Sequence, residues 1–196
     1  MGLALLLVLG LPIGLALLRW LEPVQKFSST IFLAPMTGLL CLMLIIASSV
    51  LLFGGFTLSA CFFLILITEV FSIRFLLKKP FEFAIDDSFL KQRMTRISIA
   101  LVVILSLFPI YLFKVPNGVD WIGFSSLTNL YATTGSTQIP SPNIGYWTYP
   151  PAFPATAALL QVVLNVPASD AVHLLGRISL MFILLALMGL AQRWNA

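Results

Sequence analysis

Charged residues are scarce in this sequence: they make up 9% of 196 residues, whereas 60% are hydrophobic. A soluble domain carries about 25% charged residues, so the composition excludes that class of protein. Histidine occurs once and cysteine twice, which excludes a zinc-type cluster and a disulfide-rich scaffold. Cys41 and Cys61 both lie inside apolar segments, where cysteine packs as a small hydrophobic residue. We therefore expect neither a disulfide nor a cysteine-bound metal.

Most of the sequence consists of long apolar segments. A helix needs about 20 apolar residues to cross a hydrocarbon core of about 30 Å. Segments that approach this length are 2–18, 31–53, 56–77, 97–113 and 170–192, the last with polar residues in its first two turns. The alternating pattern of a membrane β-barrel is missing. The sequence therefore predicts an all-α integral membrane protein with about five transmembrane helices, plus one or two interfacial helices in an extracytoplasmic loop.

The basic residues predict how these segments are oriented. Six of the eleven Lys and Arg residues lie within 74–96, and such clusters stay on the cytoplasmic side of a membrane. The chain then divides into an N-terminal three-helix bundle at 1–77, a cytoplasmic loop at 78–96 and a part at 97–196 whose loop, 114–152, is extracytoplasmic. We expect a multi-pass protein of the plasma membrane whose partners include the lipid bilayer and exclude nucleic acid.

The loop 114–152 is the long polar stretch of the chain, and it carries an isolated acid, Asp120. Apolar residues at helical spacing follow as far as Gly135, so the pattern predicts an amphipathic helix on the membrane surface that ends at this glycine. Four prolines within 136–151 predict irregular structure there. The apolar stretch 152–165 is too short to cross a bilayer, which favours a second interfacial or half-embedded helix.

Ionisable residues also occur within the predicted spans. Asp170, His173 and Arg177 are three and four residues apart, which places them on one face of the last helix. Two interpretations remain: the three side chains pair with one another, or Arg177 binds a lipid phosphate through its planar guanidinium. Glu69 lies five residues before Arg74, and local pairing near the cytoplasmic end is the simpler interpretation of this acid.

Several short motifs of the second half occur in an informative order, namely GVDW, TTGS, WTYPPAFPATAALL and HLLGRISL. Their order over residues 95–196 resembles the front of membrane glycosyltransferases of the GT-C superfamily. The resemblance implies transfer of a sugar from a polyprenyl-phosphate carrier to an acceptor on the extracytoplasmic face. Asp120 would then be the catalytic residue, as the base that takes a proton from the acceptor hydroxyl. A helix N-cap is the other interpretation of Asp120.

The same resemblance assigns substrate binding. Arg177, with His173 on the same face, would neutralise the charge of the leaving phosphate. The aromatic residues that would stack on sugar rings are Trp121, Trp147 and Tyr149. Interfacial anchoring is the alternative role of each aromatic residue. No cofactor is expected, and a divalent ion, if one is used, would have to rely on Asp120 with waters or substrate phosphate.

Other classes of function fit the same segments. Transferases of this type carry more spans than the sequence provides, so we expect a further C-terminal portion or a partner membrane subunit. A non-enzymatic membrane subunit would instead dock a partner with its outer loop and pair Glu69 and Arg177 across helix interfaces. A transporter component is the third option, although the sequence shows no inverted repeat.

Overall fold

The structure is a computed structural model that describes residues 1–21, 24–80, 82–84, 93–112, 119–141, 145–148 and 150–194. Within these ranges, side chains are described except at residues 24–28, 82–84, 93–94, 109–112, 119–120, 139–141, 145–148 and 192–194. This part of the chain forms seven helices. They are α1 (Gly2–Leu21), α2 (Phe27–Phe53), α3 (Leu58–Lys78), α4 (Arg93–Leu112), α5 (Val119–Thr134), α6 (Ala152–Leu164) and α7 (Ala168–Trp194).

Four of these helices are long and apolar enough to cross a membrane, judged by length and composition. They are α1, α2 from Ser29, α3, and α7 as far as Ala191. This confirms the prediction of an all-α membrane protein. The predicted span 97–113 lies almost entirely within α4, whose 20 residues extend about 30 Å. The described apolar stretch of α4, Thr95–Phe108, is shorter than the four spans.

Two short pairs of strands accompany the helices. β1 (Val24–Lys26) pairs in parallel with β2 (Glu82–Ala84), and β3 (Gln138–Ser141) pairs antiparallel with β4 (Gly145–Thr148). The second pair lies within residues 136–151, where the sequence predicts irregular structure because of its four prolines. An antiparallel ladder needs a backbone N–H only at alternate residues, and proline keeps its carbonyl acceptor, so a two-stranded pair tolerates Pro140.

Glycine brings α1 and α2 into direct backbone contact. A Cβ added at Gly14 would lie 2.6 Å from the backbone nitrogen of Gly38, and one at Gly10 would lie 3.1 Å from the Gly38 carbonyl carbon. Small residues at such positions let membrane helices approach closely. The antiparallel α1–α2 pair therefore depends on the absence of side chains at these three positions.

The core is continuous across the predicted N-terminal bundle and the second half of the chain. Its fully buried side chains include Leu39, Leu42, Ile46, Leu159, Leu160, Leu175 and Ile178. The predicted helix at 152–165 is confirmed as α6, and its residues 154–160 are all buried. Because two consecutive turns are buried on every face, protein encloses the first half of this short helix.

Contacts between connecting segments show which helix ends lie together. Arg19 Nε donates a hydrogen bond to the Lys79 carbonyl oxygen at 3.2 Å, so α1 and α3 end on the same side. At the opposite end of α3, the Phe56 N–H donates to the Gly135 carbonyl oxygen at 2.7 Å, which joins the α2–α3 connector to the end of α5. This relative arrangement is the one that the charge pattern predicts.

Glu69 lies near the middle of α3, since the helix rises about 16 Å between Leu58 and this residue. Its Oε1 is buried and has no hydrogen-bond partner among the described residues. The predicted local pairing with Arg74 does not form. Residues three or four apart are neighbours on a helix surface, whereas residues five apart lie on different faces.

Candidate functional site

A shallow cavity of about 300 Å³, open on one side, lies between α5, α6 and α7. This volume is at the lower end of the range for ligand pockets, about 300–1,000 Å³. The wall is mostly apolar and includes a few polar side chains. The lining residues are Trp121, Phe124, Phe153, Val172, His173, Gly176, Arg177 and Leu180.

Helix α5 supplies the aromatic part of the wall. Trp121, Phe124 and Tyr131 lie three and seven residues apart, the spacing of one helix face. Phe124 meets Phe153 of α6 edge to face, with ring centroids 5.1 Å apart and an interplanar angle of 60°. Tyr131 is fully buried, and this burial raises the pKa of its phenol. The helix ends at Gly135, whose φ of +70° is left-handed, which confirms the predicted end.

Helix α7 supplies the polar part of the wall. His173, Gly176, Arg177 and Leu180 follow the spacing i, i+3, i+4 and i+7, so all four share the face that lines the cavity. Arg177 Nε donates a hydrogen bond to His173 Nε2 at 3.3 Å. This nitrogen is therefore an acceptor without a proton, and the ring is neutral. The neutral ring positions the guanidinium but does not balance its charge.

Asp170 does not take part in this pair. It is exposed, accepts a hydrogen bond from the Ser169 hydroxyl at 3.2 Å, and is not part of the cavity wall. No carboxylate of the described residues forms an ion pair with Arg177, and its terminal N–H groups have no partner there. The predicted mutual pairing thus holds only for His173 and Arg177. Among the described side chains, the outer donors of Arg177 have no acceptor.

The indole of Trp121 carries an unsatisfied donor beneath the surface of the same wall. Its Nε1 is buried and makes no hydrogen bond to any described residue. A buried N–H without an acceptor costs about 1–3 kcal/mol, so such groups in native proteins usually bind a water or a ligand. Other atoms of Trp121 line the cavity, whereas its Nε1 is enclosed by protein and does not face that volume.

Half of the residues predicted to act on substrate therefore meet in one cavity, namely Trp121, His173 and Arg177. Asp120 is the second residue of α5, directly before Trp121. Its side chain and that of Trp147 in β4 lie outside the described residues, as does the whole of Tyr149. The predicted roles of these three stay predictions.

Sequence reasoning missed the remainder of the wall. The apolar stripe that contains Phe124 is visible in the sequence, but on its own it predicts a membrane surface. Phe153 and Gly176 give no local signal, because the cavity exists only where α6 packs between α5 and α7.

Among the residues with described side chains, no group of three or more His, Cys, Asp or Glu could hold a metal ion.

Comparison with known proteins gives no match: no family model, curated protein or solved structure is significantly similar to this chain. The fold and the cavity define a class only, that of all-α membrane proteins with a small, partly polar cavity between helices. Inference about function therefore rests on the chemistry of the cavity.

Proposed function

We propose that this chain binds a polyprenyl-phosphate-linked sugar in the cavity between α5, α6 and α7, as the donor-binding part of a membrane glycosyltransferase. The observation that carries the proposal is the meeting of Trp121, His173 and Arg177 in one cavity. The resemblance of the outer motifs to GT-C enzymes supports the same class of substrate. The positive-inside rule supports an extracytoplasmic position for this end of the molecule, in the plasma membrane.

The charge of Arg177 favours an anionic ligand. Helix α7 rises about 14 Å from Ala168 to Arg177, so the cation lies well inside a helix that is long enough to span the membrane. A charge at such a position is costly unless it is paired. A guanidinium presents parallel N–H donors that match the oxygens of a phosphate. A lipid phosphate would supply the counter-ion that the described residues do not provide.

The apolar part of the wall favours an amphiphile over a free phosphate. Phe124, Phe153 and Val172 line the cavity. A small hydrophilic anion would not stabilise binding by covering these apolar side chains, whereas an apolar chain would. Leu180 lies three residues after Arg177 on the same face and is 39% exposed on the side of α7. A chain attached to the phosphate would continue over Leu180 into the bilayer.

In the proposed reaction, the acceptor hydroxyl attacks the anomeric carbon of the sugar while its proton passes to the Asp120 carboxylate. The bond between that carbon and the phosphate oxygen breaks, and polyprenyl phosphate leaves with the bonding electron pair. Arg177 stabilises the charge that develops on the leaving phosphate. The place of Asp120 on α5, one residue before Trp121 of the cavity wall, supports this role.

Native mass spectrometry of the full chain in nanodiscs tests the binding step. A polyprenyl-phosphate sugar should bind Arg177→Gln about tenfold or more weakly than the parent, because charge-assisted hydrogen bonds are lost. A soluble hexose phosphate should bind the parent more weakly, because it lacks the apolar chain. Arg74→Gln is the matched control, since Arg74 is exposed on α3. Equal lipid binding by Arg177→Gln and the parent would overturn the proposal.

Transfer of radiolabelled sugar tests the catalytic step, in membranes that carry the chain with its native downstream region. Asp120→Asn should abolish transfer while membrane insertion and lipid binding stay unchanged. Transfer at the parent rate would contradict the role of a base.

A second candidate function is that of a non-enzymatic subunit in a larger membrane complex. Glu69 favours it, because this acid lies near the middle of α3 and its side chain is only partly buried. Helix α3 is also the least covered of the four spans, with 17% of its apolar window buried. A donor on a helix of another subunit would satisfy the acid. Glu69→Leu should then dissociate a complex isolated from native membranes without changing lipid binding in the cavity.

A further inference from the structure

Glu69 is an acid inside a membrane helix, and no step of the proposed reaction uses it. It is the twelfth of the 21 residues of α3, a helix that is long and apolar enough to span the membrane. Its Oε1 is buried and has no hydrogen-bond partner among the described residues. An ionised carboxylate at this depth needs a cation or several donors close by. The surroundings of Glu69 therefore decide which form of the acid the helix can hold.

Helices α1 and α2 pack against α3, and neither brings a cation to Glu69. The sequence of α2 contains no charged residue, and its one ionisable group, the Cys41 thiol, offers no positive charge. The one charged residue of α1 is Arg19, whose Nε donates to the Lys79 carbonyl oxygen beyond the end of α3. Lys79 follows Glu69 by ten residues, which corresponds to about 15 Å along the helix axis. Arg19 is therefore held far from the acid.

The cations of α3 itself are also out of reach. Arg74 lies five residues after Glu69, on another face, and is exposed. Lys78 is exposed at the end of the helix. Glu69 instead shares the packed face of α3 with the buried Ile65 and Ser72, which lie four residues before it and three after it. Protein thus covers one oxygen of the acid, and no cation of the described residues pairs with it.

A proton is the ligand that this position can hold. Protonation removes the charge of the carboxyl and requires no further group from the protein. A metal cation would need several oxygen ligands, and the residues with described side chains include no group of three or more His, Cys, Asp or Glu that could hold one. Thr68, which precedes Glu69, already donates its hydroxyl to the Leu64 carbonyl oxygen at 2.8 Å.

We infer that Glu69 is a proton-binding site in the interior of the membrane, with its carboxyl protonated and neutral in the folded chain at neutral pH. The site is separate from the cavity, because Glu69 is not part of the cavity wall. Release of the proton would leave an unbalanced negative charge on a face that packs against α1 and α2. The proton can therefore leave only when water or a cation reaches the acid. Intramembrane carboxyls with this property form the proton relays of pumps and transporters.

Infrared difference spectroscopy of the full chain in nanodiscs tests the inference. The difference spectrum between the parent and Glu69→Gln at neutral pH should contain the C=O stretch of one protonated carboxylic acid. Glutamine keeps the size of the side chain and resembles the neutral acid, so this variant should fold. Asp170→Asn is the matched control, because Asp170 is exposed and its replacement should remove the bands of a carboxylate. Carboxylate bands for Glu69, in place of the acid band, would overturn the inference.

Chemical modification tests the same claim in intact membranes. A hydrophobic carbodiimide reacts with protonated carboxyls from the lipid phase: the acid proton moves to a nitrogen of the reagent, the carboxylate adds to its central carbon, and rearrangement gives a stable N-acylurea. Peptide mapping should locate this adduct on Glu69, with a yield that falls about tenfold for each pH unit above the midpoint of the titration. Modification by a water-soluble carbodiimide alone would show an acid open to water and overturn the inference. If neither reagent gives an adduct, the infrared bands decide. Because the site is separate from the cavity, failure here leaves the proposed function standing.

Discussion

Alanine should have opposite effects on stability at two glycines of this protein. At Gly14 the new Cβ would lie 2.6 Å from the Gly38 nitrogen and 2.9 Å from the Gly38 Cα, so α1 and α2 must move apart by several tenths of an ångström. Overpacking of this kind costs about 1–3 kcal/mol. At Gly176 no atom lies within 4 Å of the new Cβ. There, alanine should add about 0.5–1 kcal/mol of helix stability.

Thermal unfolding in a single detergent measures both effects. For a chain of this size, about 1 kcal/mol corresponds to a Tm shift of about 2–4 °C. Gly14→Ala should therefore lower the Tm by about 2–12 °C, and Gly176→Ala should raise it by about 1–4 °C. Gly123→Ala should behave like Gly176→Ala, because its Cβ also meets no atom within 4 Å. A Gly14→Ala protein as stable as the parent would refute the backbone-contact account of α1 and α2.

Three further predictions concern packing, local conformation and sidedness. Phe153→Ala should lower stability by about 1–3 kcal/mol in chemical denaturation, because a half-buried ring and its edge-to-face contact with Phe124 are lost; Tyr at this position should be nearly neutral. Asn165→Ala should cost about 1–2 kcal/mol, since φ is 52° there, whereas Asn165→Gly should not destabilise. Cysteines introduced at Ser136 and Lys79 should react with an impermeant maleimide from opposite sides of intact membranes; labelling of both from one side would contradict the arrangement of the helix ends.

Apolar length predicts the membrane helices of this protein well. The predicted spans 31–53 and 56–77 match α2 and α3 within a few residues. This works because a helix in a bilayer must satisfy its own backbone hydrogen bonds and present apolar side chains along its length, and both demands are local in sequence. The end of α5 at Gly135 follows equally from local chemistry, the left-handed φ that glycine adopts without strain.

Arrangements between elements are harder to predict. Glu69 and Arg74 are close in sequence, yet the pairing expected of them does not form, because five residues turn a helix to another face. Asp170 shares a spacing with His173 and Arg177, but it lies at the exposed beginning of α7 and bonds to Ser169 instead. The spacing of residues along a helix predicts which of them share a face, but it does not predict which other helices that face contacts.

At the candidate site too, individual residues could be predicted from the sequence, whereas their arrangement could not. The sequence singles out His173 and Arg177, because a cation and a histidine inside an apolar helix are unusual in themselves. It singles out Trp121 by its place directly after Asp120. Their meeting in one cavity depends on the docking of α6 through Phe153. Gly176 becomes informative only when the open space beside it is known, since glycine in a membrane helix more often marks close packing.

Photo-crosslinking with a polyprenyl phosphate that carries a diazirine next to the phosphate tests the central claim most directly. Peptide mapping should locate the label on the cavity wall, at residues such as Phe124 and Leu180, and Arg177→Gln should remove it. Leu66 of α3, which is 61% exposed, reports non-specific labelling from the bilayer. Labelling of Leu66 and Leu180 to the same extent, unchanged in Arg177→Gln, would show that the lipid phosphate does not bind in this cavity.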